Sequence, residues 1–373
     1  MKALYLIFHG LEAYNGISKK IHYQVNALRQ CGVETHLCYI HIDNEGYQRR
    51  MIDDQELESF KHGIKGKIKK RVDYSAILNY VEANNINLIY IRSFHNANPF
   101  LISFVKQAAK KGVKTLLEIP TYPYDNEYIN SSLSVRLQLL TDKLYRRKLA
   151  RHIFRIVTFS NETDIFGAKT INISNGIDFD AIKIKEPTSY NQNIITLISV
   201  AEIHIWHGFD RLLKGLAEYY KIKQDIEVRY EIVGYGNERE ISKLKNYIIE
   251  NKLESYVTFH GPQYGEILDN LFNQASIGIA SLGRHRSGIT NIKTLKNREY
   301  AARGIPFIYS EIDDDFEGKP YIMKVNADES PINILDVIAF YEKVKIIPAI
   351  EIRNSISSLS WKNQMEKVIS ACK

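Results

Sequence analysis

The stretch Ile277-Gly278-Ile279-Ala280 is a short apolar run that opens into a polar loop, Ser281-Leu282-Gly283-Arg284-His285-Arg286-Ser287-Gly288. A segment carrying Lys296 and Glu299 follows, and Gly304 ends it before Pro306 and a second apolar run, Phe307-Ile308-Tyr309. Buried strand, glycine-bearing loop, helix and buried strand in that order form a βαβ unit. Such units receive ligands at the carboxyl end of the strand, where free backbone N–H groups suit phosphate. Lys296 and Glu299 are three apart and share a helix face. There a cation suited to a diphosphate lies beside a carboxylate able to accept both hydroxyls of a ribose. The plain alternative is a surface ion pair between the two.

Outward from this unit the same alternation recurs. Ala3 to Phe8 reads as a strand, and the loop from His9-Gly10 to Asn15-Gly16-Ile17-Ser18 leads into a helix over Lys19 to Gln30. Ile21, Val25 and Leu28 fall on one face of that helix. Gly32 ends it before a strand at Glu34 to Ile40. Helices over Tyr74–Asn84, Pro99–Lys111 and Leu133–His152 interleave with strands at Leu88–Arg92, Lys114–Ile119, Ile156–Phe159 and Thr170–Ile173. The composition loosens from Lys183 to Asn193, the best boundary, and a second alternating series runs from Ile194 to the opening stretch. Two consecutive α/β domains with parallel sheets are expected. We place the first over 1–178 and the second over 190–357, with a final helix over 358–373 packing back on the first. Three regularly spaced glycines of a dinucleotide fingerprint are absent near Gly16, which argues against a dehydrogenase.

Composition narrows the function classes. The 373 residues are 45% hydrophobic and 25% charged, with no run long enough to span a membrane. Cys31, Cys38 and Cys372 form neither a disulfide framework nor a metal knuckle, so a reducing cytoplasmic setting is expected. Lys+Arg 50 against Asp+Glu 43 gives +7, a balance suited to nucleotide phosphates or an anionic membrane. No aromatic-basic repeat points to nucleic acid.

The second half resembles the nucleotide-sugar glycosyltransferases of the GT-B fold, closest to glycosyltransferase family 4. The resemblance rests on Asn175-Gly176-Ile177-Asp178, Ser199-Val200, His207-Gly208-Phe209-Asp210, Ile232-Val233-Gly234-Tyr235-Gly236 and Val257-Thr258-Phe259-His260-Gly261, in family order. It continues with Glu299-Tyr300-Ala301-Ala302, Gly304 and Pro306, and ends at Ser360-Trp361. It covers Asn175 to Lys373 closely, and the first half only in architecture and the Gly16 loop. It implies two Rossmann-like domains with a cleft between them, and transfer of a sugar from a nucleotide-sugar donor to a saccharide or lipid-linked acceptor. It further implies a retaining reaction, hexosyl transfer, and a role in cell-surface polysaccharide or glycolipid synthesis.

The departures matter as much. Where the family places an arginine and a lysine against the diphosphate, this chain has Glu202 and His207, and Asn291 stands where the first of two paired glutamates would be. Lys296, three before Glu299, moves the phosphate cation onto the helix, and Arg211 is a candidate second cation. The expected donor-binding set is thus Lys296, Glu299, Gly16, His207, Arg211, Gly234, Gly236 and Asn291. On the acceptor side Tyr122, Tyr124 and Asp125 follow a strand, with Glu118 and His95 as catalytic candidates. No metal or other cofactor is expected. The run Asp313-Asp314-Asp315 reads as a solvated acidic turn rather than a metal motif, and His204 and His207 lack a third ligand.

Two alternatives stay open. A sugar-nucleotide 2-epimerase of the same fold would need no acceptor, and a non-catalytic nucleotide- or sugar-binding protein would turn nothing over. Two basic stretches remain, Lys61 to Arg71 and the helix from Leu133. On that helix Leu133, Leu137, Leu140 and Leu144 share a face near Lys143, Arg146, Arg147, Lys148 and Arg151. Such a stripe is either core or a peripheral contact with an anionic membrane.

Overall fold

The structure is a computed structural model that describes residues 1–12, 16–60, 63–125, 132–186, 193–289 and 291–373; the side chains of Ile64 and Lys67 are not described. The expected loosened stretch around Pro187 therefore lies mostly outside the described residues, as does Lys61. The chain divides into two compact units, Met1–Ser174 with Trp361–Lys373, and Asn175–Ser360.

In the first unit the elements run β1 (Lys2–Leu6), α1 (Gly16–Gln30), β2 (Glu34–Ile42), β3 (Gln48–Ile52), β4 (Gln55–Phe60), α2 (Gly63–Val72) and α3 (Ser75–Ala83). Next come β5 (Leu88–Arg92), α4 (Pro99–Lys110), β6 (Lys114–Ile119), α5 (Leu133–Ala150), β7 (Arg155–Thr158), β8 (Asp164–Ile165) and β9 (Ala168–Asn172). The sheet order is β4-β3-β2-β1-β5-β6-β7-β9-β8. Strands β2, β1, β5, β6, β7 and β9 run parallel, and β3, β4 and β8 join antiparallel at the two edges. Central strands β1 and β5 are almost wholly buried, as their uninterrupted apolar runs require of strands covered on both faces. Ile21, Val25 and Leu28 of α1 pack inward. Asn98 caps α4 by accepting from the N–H groups of Phe100 and Leu101, both at 2.9 Å, with Pro99 in the first helical position.

The β3–β4 hairpin was not expected from the sequence. Its residues are mostly polar because it extends the sheet edge, and Arg50 turns inward to meet Glu58 and the carbonyl of Lys70 at 3.0 Å.

The second unit contains β10 (Ile194–Ile203), α6 (Phe209–Tyr219), β11 (Glu227–Gly236), α7 (Glu238–Glu250), β12 (Val257–Gly261), α8 (Gly265–Gln274) and β13 (Ile277–Ile279). It continues with α9 (Leu295–Arg303), β14 (Phe307–Tyr309), β15 (Ile322–Lys324), α10 (Ile334–Val344) and α11 (Ala349–Asn354). The sheet is entirely parallel in the order β12-β11-β10-β13-β14-β15. Counted within the unit this is 3-2-1-4-5-6, the doubly wound order whose switch point falls between the first and fourth strands. Here those strands are β10 and β13. A last helix, α12 (Trp361–Ser370), belongs to the first unit, where Gln364 Oε1 accepts from the Ser174 N–H at 2.9 Å.

Candidate functional site

The carboxyl ends of β10 and β13 release the two loops that build the candidate site. After β10, Ile205–His207 forms a short 3-10 turn; after β13, Arg284–Ser287 forms another. The loops are stitched together by the N–H of Leu282 to His207 O at 2.8 Å and that of Gly283 to Trp206 O at 3.2 Å. Gly208 has φ of 64°, and a Cβ there would stand 2.7 Å from Gly283 N, so only glycine allows this approach. Arg286 binds Asp210 at 2.7 and 2.9 Å and Glu329 at 2.9 Å, fixing the second loop over α6.

Helix α9 starts with Thr294, whose hydroxyl accepts from the Asn297 N–H at 3.4 Å, and stops at Gly304 in the left-handed region, φ 76°. It delivers Lys296 to the loops. Lys296 Nζ lies 2.5 Å from His207 Nε2, and no carboxylate among the described residues reaches it. His207 is buried, and its Nδ1 accepts from the His204 N–H at 3.2 Å, which leaves Nε2 to carry the ring proton. Burial, reinforced by Arg284, lowers Lys296 to about 7. Burial and then Lys296 hold His207 well below its ordinary value. The pair is a neutral imidazole facing a lysine that can take up a proton when an anion arrives.

Glu299 does not meet Lys296. Its carboxylate accepts from Arg303 at 3.1 and 3.2 Å, one turn further along α9, while Arg303 also holds Asp269 at 2.9 Å. Glu299 stays partly exposed, so the ion pair leaves carboxylate surface for a hydroxyl-bearing ligand.

Other expected donor residues are occupied by the fold. Arg211 is buried and donates to Ser330 O at 2.8 Å, Asn326 O at 2.9 Å, Leu282 O and Asp328 at 3.1 Å. A guanidinium with its donors spent in this way ties the 326–330 segment to the loops and has none left for a diphosphate. Gly234 and Gly236 have a reason inside the sheet: a Cβ would stand 1.8 Å from Ala201 O and 2.4 Å from Ile203 O. Asn291 is exposed and bridges to Ile312. Gly16 opens α1 with no described residue within 4 Å of where a Cβ would stand, so no described neighbour demands a glycine there. Glu202 is exposed and lies 3.2 Å from His204 Nε2, and His204 stacks on Trp206 at 4.2 Å.

In the first unit Glu118 is wholly buried. It accepts from Gln24 at 2.7 Å, Tyr90 at 2.6 Å and Arg92, with Lys20 at 3.7 Å. Burial pushes its pKa up, but Lys20 and Arg92 more than reverse this and hold it below the usual value. It is an ionised node inside the sheet, not a group facing solvent. Tyr124 likewise is core: its hydroxyl donates to Asp142 at 2.6 Å and its ring lies 4.2 Å from His95. Asp125 forms a bidentate pair with Arg146 at 2.9 and 3.1 Å, and Tyr122 packs edge-on to Phe166. His95 is half-buried with φ of 51°, and burial lowers it to about 4, so it is neutral. Tyr122, Tyr124, Asp125 and His95 are thus linked through Arg146 and Phe166, with Tyr122, Asp125 and His95 still partly exposed.

The expectation of a solvated Asp313–Asp315 turn is corrected. Asp313 is fully buried and takes both arms of Arg298, itself fully buried, while Asp315 meets the same guanidinium. Arg298 also donates to Asn175 O at 3.0 Å. An arginine on the buried face of α9 needs anions inside, and the acidic run supplies them. Among the described residues no group of three His, Cys, Asp or Glu is placed to hold a metal ion.

Sequence reasoning missed Glu311. It stands just beyond β14, almost wholly buried, and neither carboxylate oxygen has a hydrogen-bond partner among the described residues. Burial raises it to about 7. Its position at the carboxyl end of a strand in the opening βαβ unit was the available signal.

The sequence matches no protein-family model and no curated protein. Solved structures do match over the full length. Sucrose-phosphate synthase from Thermosynechococcus elongatus superposes with a TM-score of 0.67 at 14% identity, covering 100% of this chain and 98% of that one. The Anabaena protein HepE in complex with UDP gives 0.62 at 15% identity and 100% of both chains. The chain has the GT-B fold. The lipopolysaccharide outer core galactosyltransferase WaaB, in its apo form, matches at 0.59 and 12% identity, over 100% of this chain and 99% of that one. At these identities the likeness establishes the GT-B architecture of two Rossmann-like units.

Proposed function

We propose that the protein is a glycosyltransferase that moves a hexosyl group from a nucleotide sugar to a saccharide or lipid-linked acceptor. The reading places it in the cytoplasm, in cell-surface polysaccharide or glycolipid synthesis, with retention of configuration and without a metal. The observation that carries it is Lys296, a half-buried amine without a carboxylate partner among the described residues, at the switch point of a doubly wound sheet. An unpaired lysine in such a place is a seat for an anion. Glu299, one turn along the same helix, is spaced to accept a ribose while Lys296 meets the diphosphate. HepE has been solved with UDP-glucose, and GT-B relatives with this chemistry support a nucleoside diphosphate sugar as donor. Departure of the diphosphate places negative charge beside Lys296, where one charge-assisted contact contributes about 1.5–3 kcal/mol. Gly16 and His207 remain in the donor set, whereas Arg211, Gly234, Gly236 and Asn291 are left out of it.

The test is a panel of uridine, guanosine and adenosine diphosphate sugars, first by thermal shift and then by mass spectrometry with candidate acceptors in excess chelator. A bound diphosphate should raise the melting temperature, and transfer should persist without metal. Activity lost in chelator and restored by manganese would overturn the metal-free reading. An epimerised sugar formed without acceptor would favour the 2-epimerase, and binding without turnover the non-catalytic alternative.

A further inference from the structure

The long helix of the first unit presents the wrong face to water. Leu133, Leu137, Leu140 and Leu144 are 71%, 56%, 58% and 71% exposed, respectively. At 100° per residue these four fall within about 60° of arc. The opposite face is held inward by Leu139, Asp142, Leu149 and Ala150, all buried. Polar pins lock that rotation: Asp142 accepts from Tyr124 at 2.6 Å and from the Ala97 N–H at 3.0 Å, and Arg146 grips Asp125. The leucines therefore cannot turn into the core without breaking buried hydrogen bonds.

The stripe is framed by cations. Arg136 and Arg147 flank one side, Lys148 the other, and Arg151 continues its line just past the helix end; all four are exposed. None of the four has a carboxylate within ion-pair distance among the described residues. Lys143, further round, is 3.7 Å from Asp125. The only acid on the helix is the buried Asp142. No helix among the described residues is long and apolar enough to cross a membrane.

We propose that α5 lies on an anionic lipid bilayer, with its leucines among the upper acyl chains and Arg136, Arg147, Lys148 and Arg151 at the headgroup phosphates. An outward apolar stripe edged by unpaired cations matches a surface that is oily below and negative above. A second copy of this chain matches poorly, because pairing two such faces brings like charges together. The inference does not rest on glycosyl transfer. Lys296, Glu299 and His207 belong to the second unit, and Gly16, the donor candidate in the first, opens α1 rather than α5, so nucleotide binding serves as an independent control.

The experiment sediments the full chain with vesicles of phosphatidylcholine alone or with about a third phosphatidylglycerol. Binding to the anionic vesicles should be at least about tenfold tighter and should weaken as salt rises. Leu137→Ser with Leu144→Ser should lower partition about tenfold on the same vesicles. Arg147→Ser, Lys148→Ser and Arg151→Ser together should remove most of the preference for anionic lipid. Because all five side chains are exposed, melting temperature and nucleoside diphosphate affinity should stay unchanged in both variants. Equal partition of the native protein and the leucine variant would overturn the proposal. So would a dimer, seen by light scattering, that the leucine variant abolishes while the native protein ignores vesicles.

Discussion

Raising the pH from about 7.5 to about 9.5 should weaken nucleoside diphosphate binding by roughly two orders of magnitude, and Lys296 is the reason. Burial lowers this lysine to about 7, so over that range the ligand-free protein holds it mostly neutral. The geometry agrees: His207 Nδ1 is taken by the His204 N–H, Nε2–H points at Lys296 Nζ at 2.5 Å, and an amine lone pair is what it meets. A diphosphate favours the charged amine, so binding must bring a proton with it. Each pH unit above 7 then costs about 1.36 kcal/mol, a tenfold loss in affinity. The groups around Lys296 do not spoil the window. His204 is lowered by burial and stays neutral, and Glu311 titrates near 7, below the range. Titration calorimetry in two buffers of different ionisation heat reads both the affinity and the proton taken up, which should approach one. Lys296→Met should bind more weakly at about pH 7.5 and show a flat profile. A change of less than about threefold across the range, or a slope that survives Lys296→Met, would refute the assignment.

Three further outcomes are expected. Asp313→Ala leaves the buried Arg298 guanidinium without its main partner and should cost about 3–5 kcal/mol, a fall in melting temperature on the order of 10 °C; Arg298→Met with Asp313→Leu should cost less than the single change. Glu311, raised to about 7 in the native protein from 4.5, holds its proton longer than the unfolded chain does, so stability should fall by up to about 3 kcal/mol as pH rises from about 4.5 to about 7. Denaturant titrations of Glu311→Gln should show that slope removed. Glu118→Gln should lower stability by about 3 kcal/mol, because Lys20 and Arg92 lose their counter-charge, and should leave nucleotide affinity intact. Full stability with lost turnover would instead return Glu118 to the catalytic candidates.

The alternation of apolar runs and helical segments was legible because parallel strands covered on both faces have no polar side to disguise them. β1, β5 and β6 read directly as strands for that reason. The β3–β4 hairpin did not, since edge strands carry Gln, Glu and Arg, and the one inward arginine, Arg50, looks like any surface residue until its Glu58 partner is placed. In the candidate site, the shared face of Lys296 and Glu299 follows from spacing alone. Their partners do not: His207 lies 89 positions from Lys296, and Arg211 reaches acceptors 115 to 119 positions away. A sequence shows that an arginine is near a loop, but not that backbone carbonyls have already taken its donors. The acidic run was misread for the same cause, because its cation sits on the hidden side of α9.

The return of α12 to the first unit also sets an order of assembly. Residues 175–360 are one continuous span, whereas the first unit is closed by residues from 361 onward. On the ribosome the second unit can complete itself as soon as its span has emerged. The first must wait with Ser174 uncapped, and with Lys20, whose ammonium lies over Phe159 and 5.5 Å from the Trp361 ring centroid, without its tryptophan. Synthesis that ordinarily folds domains from the amino end runs in reverse here: the half translated first is the half finished last.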